Sequence, residues 1–128
     1  MGLGAILKDV SAESEKVAII KKFVTVVRFL DDGTGYFYVY NYKCVNISHP
    51  DKMFDGKNLY DLQDTKGKYV IRELSEAAKK GGGFVIFYWK KPREGGKSFA
   101  DPLEVKKFGY VEPIQGTDYF IGSGSYEK

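Results

Sequence analysis

The stretch Asp32-Gly33-Thr34-Gly35-Tyr36-Phe37-Tyr38-Val39-Tyr40, answered after a short turn by Val45-Asn46-Ile47-Ser48-His49-Pro50, decides the fold. Aromatic and β-branched side chains suit a pleated, half-buried surface, so two such runs led in by glycines predict a β-hairpin opening an antiparallel sheet. Successive residues of a strand point to opposite faces. Tyr36, Tyr38 and Tyr40 therefore share one face, and Phe37 and Val39 share the other. A tyrosine face offers contact area together with hydroxyls, which suits a small cavity for a polar ligand. A tyrosine-rich but closed core is the alternative.

Downstream, the strongest strand is Phe84-Val85-Ile86-Phe87-Tyr88-Trp89, entered through Gly81-Gly82-Gly83 and ended by Pro92 and the Glu94–Ser98 loop. Two more strands are expected at Leu103–Val111 and Tyr119–Ile121, joined through Pro113 to Gly116. Between the hairpin and these strands, Asp51–Asp64 reads as a loop with one short helical turn. Lys68–Lys80 reads as a helix with Val70, Ile71, Leu74, Ala77 and Ala78 inside. Glycines that leave a helix, as Gly81–Gly83 do, are no phosphate loop, which leads into one.

Before the hairpin, Val17, Ile20, Val24, Val27 and Leu30 recur at three and four residues and predict a helix capped near Ser11, Ser14 and Glu15 and stopped by Asp31-Asp32-Gly33. The β-branched run Val24 to Val27 makes a strand at 23–30 the second choice. The expected fold is thus α+β, a five-stranded antiparallel sheet with a long N-terminal helix (1–30) on one face and the inserted short helices on the other. Residues 31–128 would form the rest of one domain.

Composition narrows the function. The 128 residues suit one domain, and 43% hydrophobic and 16% aromatic content is ample for a packed core. Twenty Lys and Arg against seventeen Asp and Glu leave +3 without a long basic block, which argues against a nucleic-acid partner. One cysteine, Cys44, and one histidine, His49, supply neither a disulfide nor a soft-ligand metal site. No run approaches the roughly twenty apolar residues of a membrane span, so the chain as given is expected to be soluble. Catalysis calls for a nucleophile with its base, paired carboxylates in a cleft, or a metal. The sequence displays none, and no enzyme and no cofactor are expected.

Several segments together resemble the type 2 single Cache domains, PAS-like extracytoplasmic sensors of bacterial chemoreceptors and sensor kinases. They are Gly35–Tyr40, Ser48-His49-Pro50, Gly56-Lys57-Asn58, Gly81–Phe84, Tyr88–Pro92, Lys107–Val111 and Ile121–Tyr126. The sequence departs from the family at the turn Asn41-Tyr42-Lys43-Cys44 and at Thr117-Asp118-Tyr119-Phe120. The resemblance implies a periplasmic or otherwise extracytoplasmic domain. Its cavity, between the sheet and the inserted helices, would take a small organic acid such as pyruvate, lactate or acetate and serve chemotaxis or signal transduction. The membrane spans that flank such domains in receptors are not expected within these 128 residues.

Lys107 sits mid-strand among apolar residues, a costly place for an ammonium unless an anion meets it. It is the candidate to neutralise an acid, against the reading of one more solvated lysine beside Lys106. His49 could donate to a carboxylate, or simply fix its loop. Tyr36 and Tyr38 would supply hydroxyls and Trp89 a wall. Lys57 and Asn58, expected to open a short helix, and Tyr110 form a second tier. The alternative function is a ligand-free PAS-like scaffold or dimerisation module that acts through a homodimer contact of the N-terminal helix.

Overall fold

The computed structural model describes residues 12–30, 33–93 and 103–127. Helix α1 (Glu13–Val26) is followed by β1 (Arg28–Phe29), β2 (Gly35–Tyr36), β3 (Tyr38–Asn41) and β4 (Asn46–Ser48). A 3₁₀ turn (Lys52–Phe54), helix α2 (Val70–Lys79) and strands β5 (Gly83–Lys90), β6 (Glu104–Pro113) and β7 (Tyr119–Tyr126) complete the order. The main sheet is antiparallel throughout, in the order β4-β3-β7-β6-β5. β1 and β2 make a separate two-stranded ribbon, pairing Arg28 with Tyr36 and Phe29 with Gly35.

The two faces carry separate cores, as the alternation predicts. Ile20 and Val24 of α1 pack on Val39, Ile114 and Ile121, with Phe23 and Phe37 beside them. The opposite face joins Tyr36, Tyr38 and Tyr40 to Val70, Ile71, Leu74 and Ala78 of α2 and to Val85, Phe87 and Trp89 of β5. The five-stranded sheet with helices on opposite faces is therefore the observed architecture.

Several boundaries differ from expectation. α1 ends at Val26, four residues short of Leu30, because Val27 is already extended and Leu30 adopts φ 69°. Arg28 caps the end by donating from Nη1 to the carbonyls of Val24 and Val27 at 3.0 and 2.8 Å. The chain beyond turns into β1, so the strand kept as second choice over 23–30 exists only at Arg28–Phe29. At the other end Ala12 occupies the N-cap position with no side-chain cap, while Ser11 and the Asp31-Asp32 stop lie outside the described residues, as does the Glu94–Ser98 loop. The expected hairpin strand breaks at Phe37, which divides β2 from β3. β7 runs to Tyr126, five residues beyond the expected Ile121.

Glycines explain that last difference. A Cβ on Gly122 would lie 2.4 Å from the Tyr38 ring, and one on Gly124 would lie 2.6 Å from the Phe108 carbonyl and 2.9 Å from Lys107 Cε. The Gly-Ser-Gly-Ser run has poor intrinsic strand preference, yet it stays a strand through its ladder with β6, from Gly122 opposite Val111 to Tyr126 opposite Lys107, and its missing side chains make room for those of its neighbours.

Candidate functional site

A small hollow on the α2 side of the sheet is lined by Tyr36, Tyr38, Tyr40, His49, Val70, Ile71, Leu74, Phe87, Trp89 and Lys107. Strands β2, β3, β5 and β6 contribute through their inward-pointing positions. In β5 these are Val85, Phe87 and Trp89, and in β6 they are Lys107, Gly109 and Val111. α2 closes the space with the apolar stripe expected of it. The hollow has about 10 Å³ open to the centre of a water-sized molecule, room for one water. A cavity already wide enough for a small acid is thus not what the structure holds, because aromatic rings and the lysine stem occupy most of the space.

Lys107 is only 1% exposed. It pairs across the sheet with Phe87 on one side and Tyr126 on the other, and its Nζ lies over four rings: Tyr36 at 4.0 Å, Tyr126 at 4.9 Å, Tyr38 at 5.1 Å and Phe87 at 5.8 Å. Such faces attract a cation, by about 2 kcal/mol where water is excluded. None of the ion pairs among the described residues involves Lys107. Burial pushes its pKa well below the usual lysine value.

His49 is fully buried beside it. Its ring centroid is 5.1 Å from those of Tyr36 and Phe54, 6.3 Å from Tyr38 and 6.2 Å from Trp89. The Asp51 amide donates to Nδ1 at 2.8 Å, which fixes the neutral tautomer with its proton on Nε2. Burial first, then the charges of Lys107 and Arg28, hold its pKa well below the usual histidine value. His49 is therefore a neutral donor near neutral pH.

The tyrosines divide by hydrogen bonding. Tyr126 donates to the Lys90 carbonyl at 2.8 Å, so its 3.0 Å contact with Tyr36 is a donation from the Tyr36 hydroxyl. The buried Tyr38 hydroxyl has no hydrogen-bond partner among the described residues. A buried orphan hydroxyl in a cavity wall fits a polar guest. Burial keeps all three inward tyrosines of the hairpin un-ionised by raising their pKa values.

Tyr36, Tyr38, His49, Trp89 and Lys107 thus come together around one hollow. The second tier does not. Lys57 and Asn58 are exposed and open no helix: the 3₁₀ turn precedes them, Val45 bridges Asn58, and Asn58 Oδ1 accepts from the Tyr60 amide. Tyr110 lies on the outer face of β6, because alternation from the inward Lys107 sends 108 and 110 outward; its ring meets Phe84 at 4.9 Å. Residues that sequence reasoning missed are Tyr126, Phe87, Tyr40, and the α2 residues Val70, Ile71 and Leu74 as cavity wall. The α2 stripe was readable as core; nothing local marked Tyr126.

The loop between β4 and α2 borders the site and is held to the sheet edge. Asp64 accepts from the Lys66 and Lys68 amides through Oδ1 and from the Tyr88 amide through Oδ2, all at 2.9 to 3.0 Å. Lys68 Nζ donates to the Ile86 carbonyl. These contacts use polar groups that β5, as an edge strand, leaves unpaired. Arg72 adds a second tie, stacked at 3.7 and 3.9 Å on the rings of Tyr60 and Tyr69 and bonded to Asp61. Among the described residues no grouping of His, Cys, Asp and Glu could hold a metal, and no helix is long and apolar enough to cross a membrane.

The family model described as Cache domain, dCache_2, matches residues 7–128. This chain belongs to the Cache family. It is 37% identical over 117 residues to the sensor histidine kinase MctS of Rhizobium johnstonii, an alignment covering 90% of this chain and 24% of that protein. The Cache chain thus spans about a quarter of that relative's length. A periplasmic sensor domain of a chemotaxis protein superposes with a TM-score of 0.80 at 25% identity, covering 98% of this chain and 83% of the other. A structure described as the basis for carboxylic acid recognition by a Cache chemosensory domain gives 0.76 at 26%, covering 99% and 80%.

Proposed function

We propose that this Cache domain is the non-enzymatic, extracytoplasmic sensing part of a chemoreceptor or sensor kinase and that it binds a small organic acid of the pyruvate, lactate or acetate kind. The observation that carries the reading is Lys107, an amine buried on the cavity side of the sheet with no anion paired to it among the described residues. A carboxylate there would be met by the ammonium, by the Nε2–H of His49 and by the orphan hydroxyl of Tyr38. Trp89 and Phe87 would pack on its short apolar part. The carboxylic acid recognition ascribed to a structural relative supports the same chemistry. Entry of an acid requires the wall to move, and the ties of the 51–69 loop are the contacts it would loosen.

The one-water volume of the hollow favours a second reading, a ligand-free scaffold whose N-terminal helix forms a homodimer contact. Thermal unfolding in the presence of acetate, lactate and pyruvate separates the two. A ligand that binds only the folded state adds about 2.7 kcal/mol at a hundredfold its dissociation constant. A scaffold shows no shift with any of the three, and that result would remove the sensing proposal.

A further inference from the structure

An acid guest changes the electrostatics of the cage, and with it the protonation of what lines it. Without the guest, the groups that face Lys107 Nζ among the described residues are neutral. They are Tyr36 on β2, Tyr38 on β3, His49 after β4, and Tyr126 on β7. β5 presents Phe87, and α2 presents only apolar side chains to the hollow. Arg28, a further cation, acts on His49. Among the described residues no carboxylate compensates an ammonium there, and the ring faces only soften its burial. A carboxylate supplies the missing negative charge, and an ion pair in a dry site demands the ammonium form.

We propose that the site takes up a small carboxylate together with one proton from solvent, the proton being held on Lys107 Nζ. The balance is simple: the free amine and the carboxylate anion combine with one proton to give an ammonium–carboxylate pair, so the filled cavity differs from the empty one by a neutral acid. Burial lowers the proton affinity of both Lys107 and His49 in the empty state, which agrees with this direction. Affinity for the anion then falls tenfold for each unit that pH rises above the point where empty-state Lys107 loses its proton. Such a domain reports acid concentration and pH as one quantity. The inference rests on the acid-binding reading above.

Titration calorimetry with sodium acetate and sodium pyruvate, in phosphate and in Tris at about pH 8.5, reads the proton count from the difference in apparent enthalpy between buffers. The expected result is net proton uptake by the native protein, growing as pH rises through the range in which empty-state Lys107 loses its proton. Lys107→Arg, whose guanidinium keeps its charge, is expected to take up none. Binding that shows no buffer dependence and an affinity flat between about pH 7 and 10 overturns proton coupling and leaves the acid reading standing. Uptake that persists in Lys107→Arg overturns the assignment to Lys107 in favour of His49. Absence of heat and of thermal shift with either acid overturns both the coupling and the acid reading.

Discussion

Replacing Lys107 by methionine isolates the cost of the caged cation, because Met keeps an unbranched apolar stem of similar reach and removes the charge. In the unfolded chain the lysine titrates near 10.4, whereas burial in the folded cage pushes its pKa well below that. Between those two values the unfolded state binds more protons than the native state. Native stability therefore rises with pH across the window, by up to about 1.4 kcal/mol per pH unit, and levels off once both states are neutral. Below the window the full penalty is present. The Met variant has no such slope. At neutral pH it should be more stable than the native protein by about 1–4 kcal/mol, the range found when buried ion pairs yield to apolar side chains. Near pH 10 the gap should shrink to the packing difference alone, below about 1.5 kcal/mol. The tyrosines are common to both proteins, so their ionisation cancels in the comparison. Urea unfolding of the two proteins at pH 7, 8, 9 and 10, with equal slopes and shifted midpoints, measures the difference. A gap that stays constant over this range would refute the reasoning, since it would mean that Lys107 keeps its ordinary affinity for a proton in the folded state.

Two further substitutions test the frame around the site. Gly122→Ala drives a methyl into the Tyr38 ring at 2.4 Å and should cost about 1–3 kcal/mol; adding Tyr38→Leu should recover part of the loss in urea unfolding, and no recovery would mean that the ring is not the obstacle. Asp64→Asn replaces one acceptor oxygen of a buried carboxylate that takes three backbone amides, so one amide loses its acceptor at about 1–3 kcal/mol. Amide exchange at Tyr88 should accelerate, and an unchanged rate there would show that Asp64 does not hold the β5 edge.

Much of this architecture follows from short-range pattern. Alternation in 36–40 separates the tyrosine face from Phe37 and Val39, and the same rule in 84–89 sends Phe87 and Trp89 inward. The predicted helix over 68–80 and the observed Val70–Lys79 differ only at the ends, because a 3.6-residue apolar stripe is a strong local signal. Legibility fails where context overrides propensity. The N-terminal stripe continues in the sequence to Leu30, but the chain breaks at Val27 to pair Arg28–Phe29 with Gly35–Tyr36, an interaction that requires the later segment to be present. Lys57 and Asn58 match a helix start in composition and yet lie in the loop that bridges Val45. Tyr110 and Lys107 sit three apart on one strand, so they cannot share a face once the register is set.

Sequence alone determined the kind of surface each strand offers, since side-chain period and hydrophobicity are properties of neighbours along the chain. It also supplied an ammonium with no obvious partner. Tertiary structure decided what encloses that ammonium: strands far apart in sequence bring Tyr36, Phe87 and Tyr126 to within 6 Å of one nitrogen, while Gly124 leaves room for the lysine stem and Gly122 for the Tyr38 ring. The volume that remains, about one water, is likewise a result of packing, because it is a small difference between large filled spaces that no local pattern encodes.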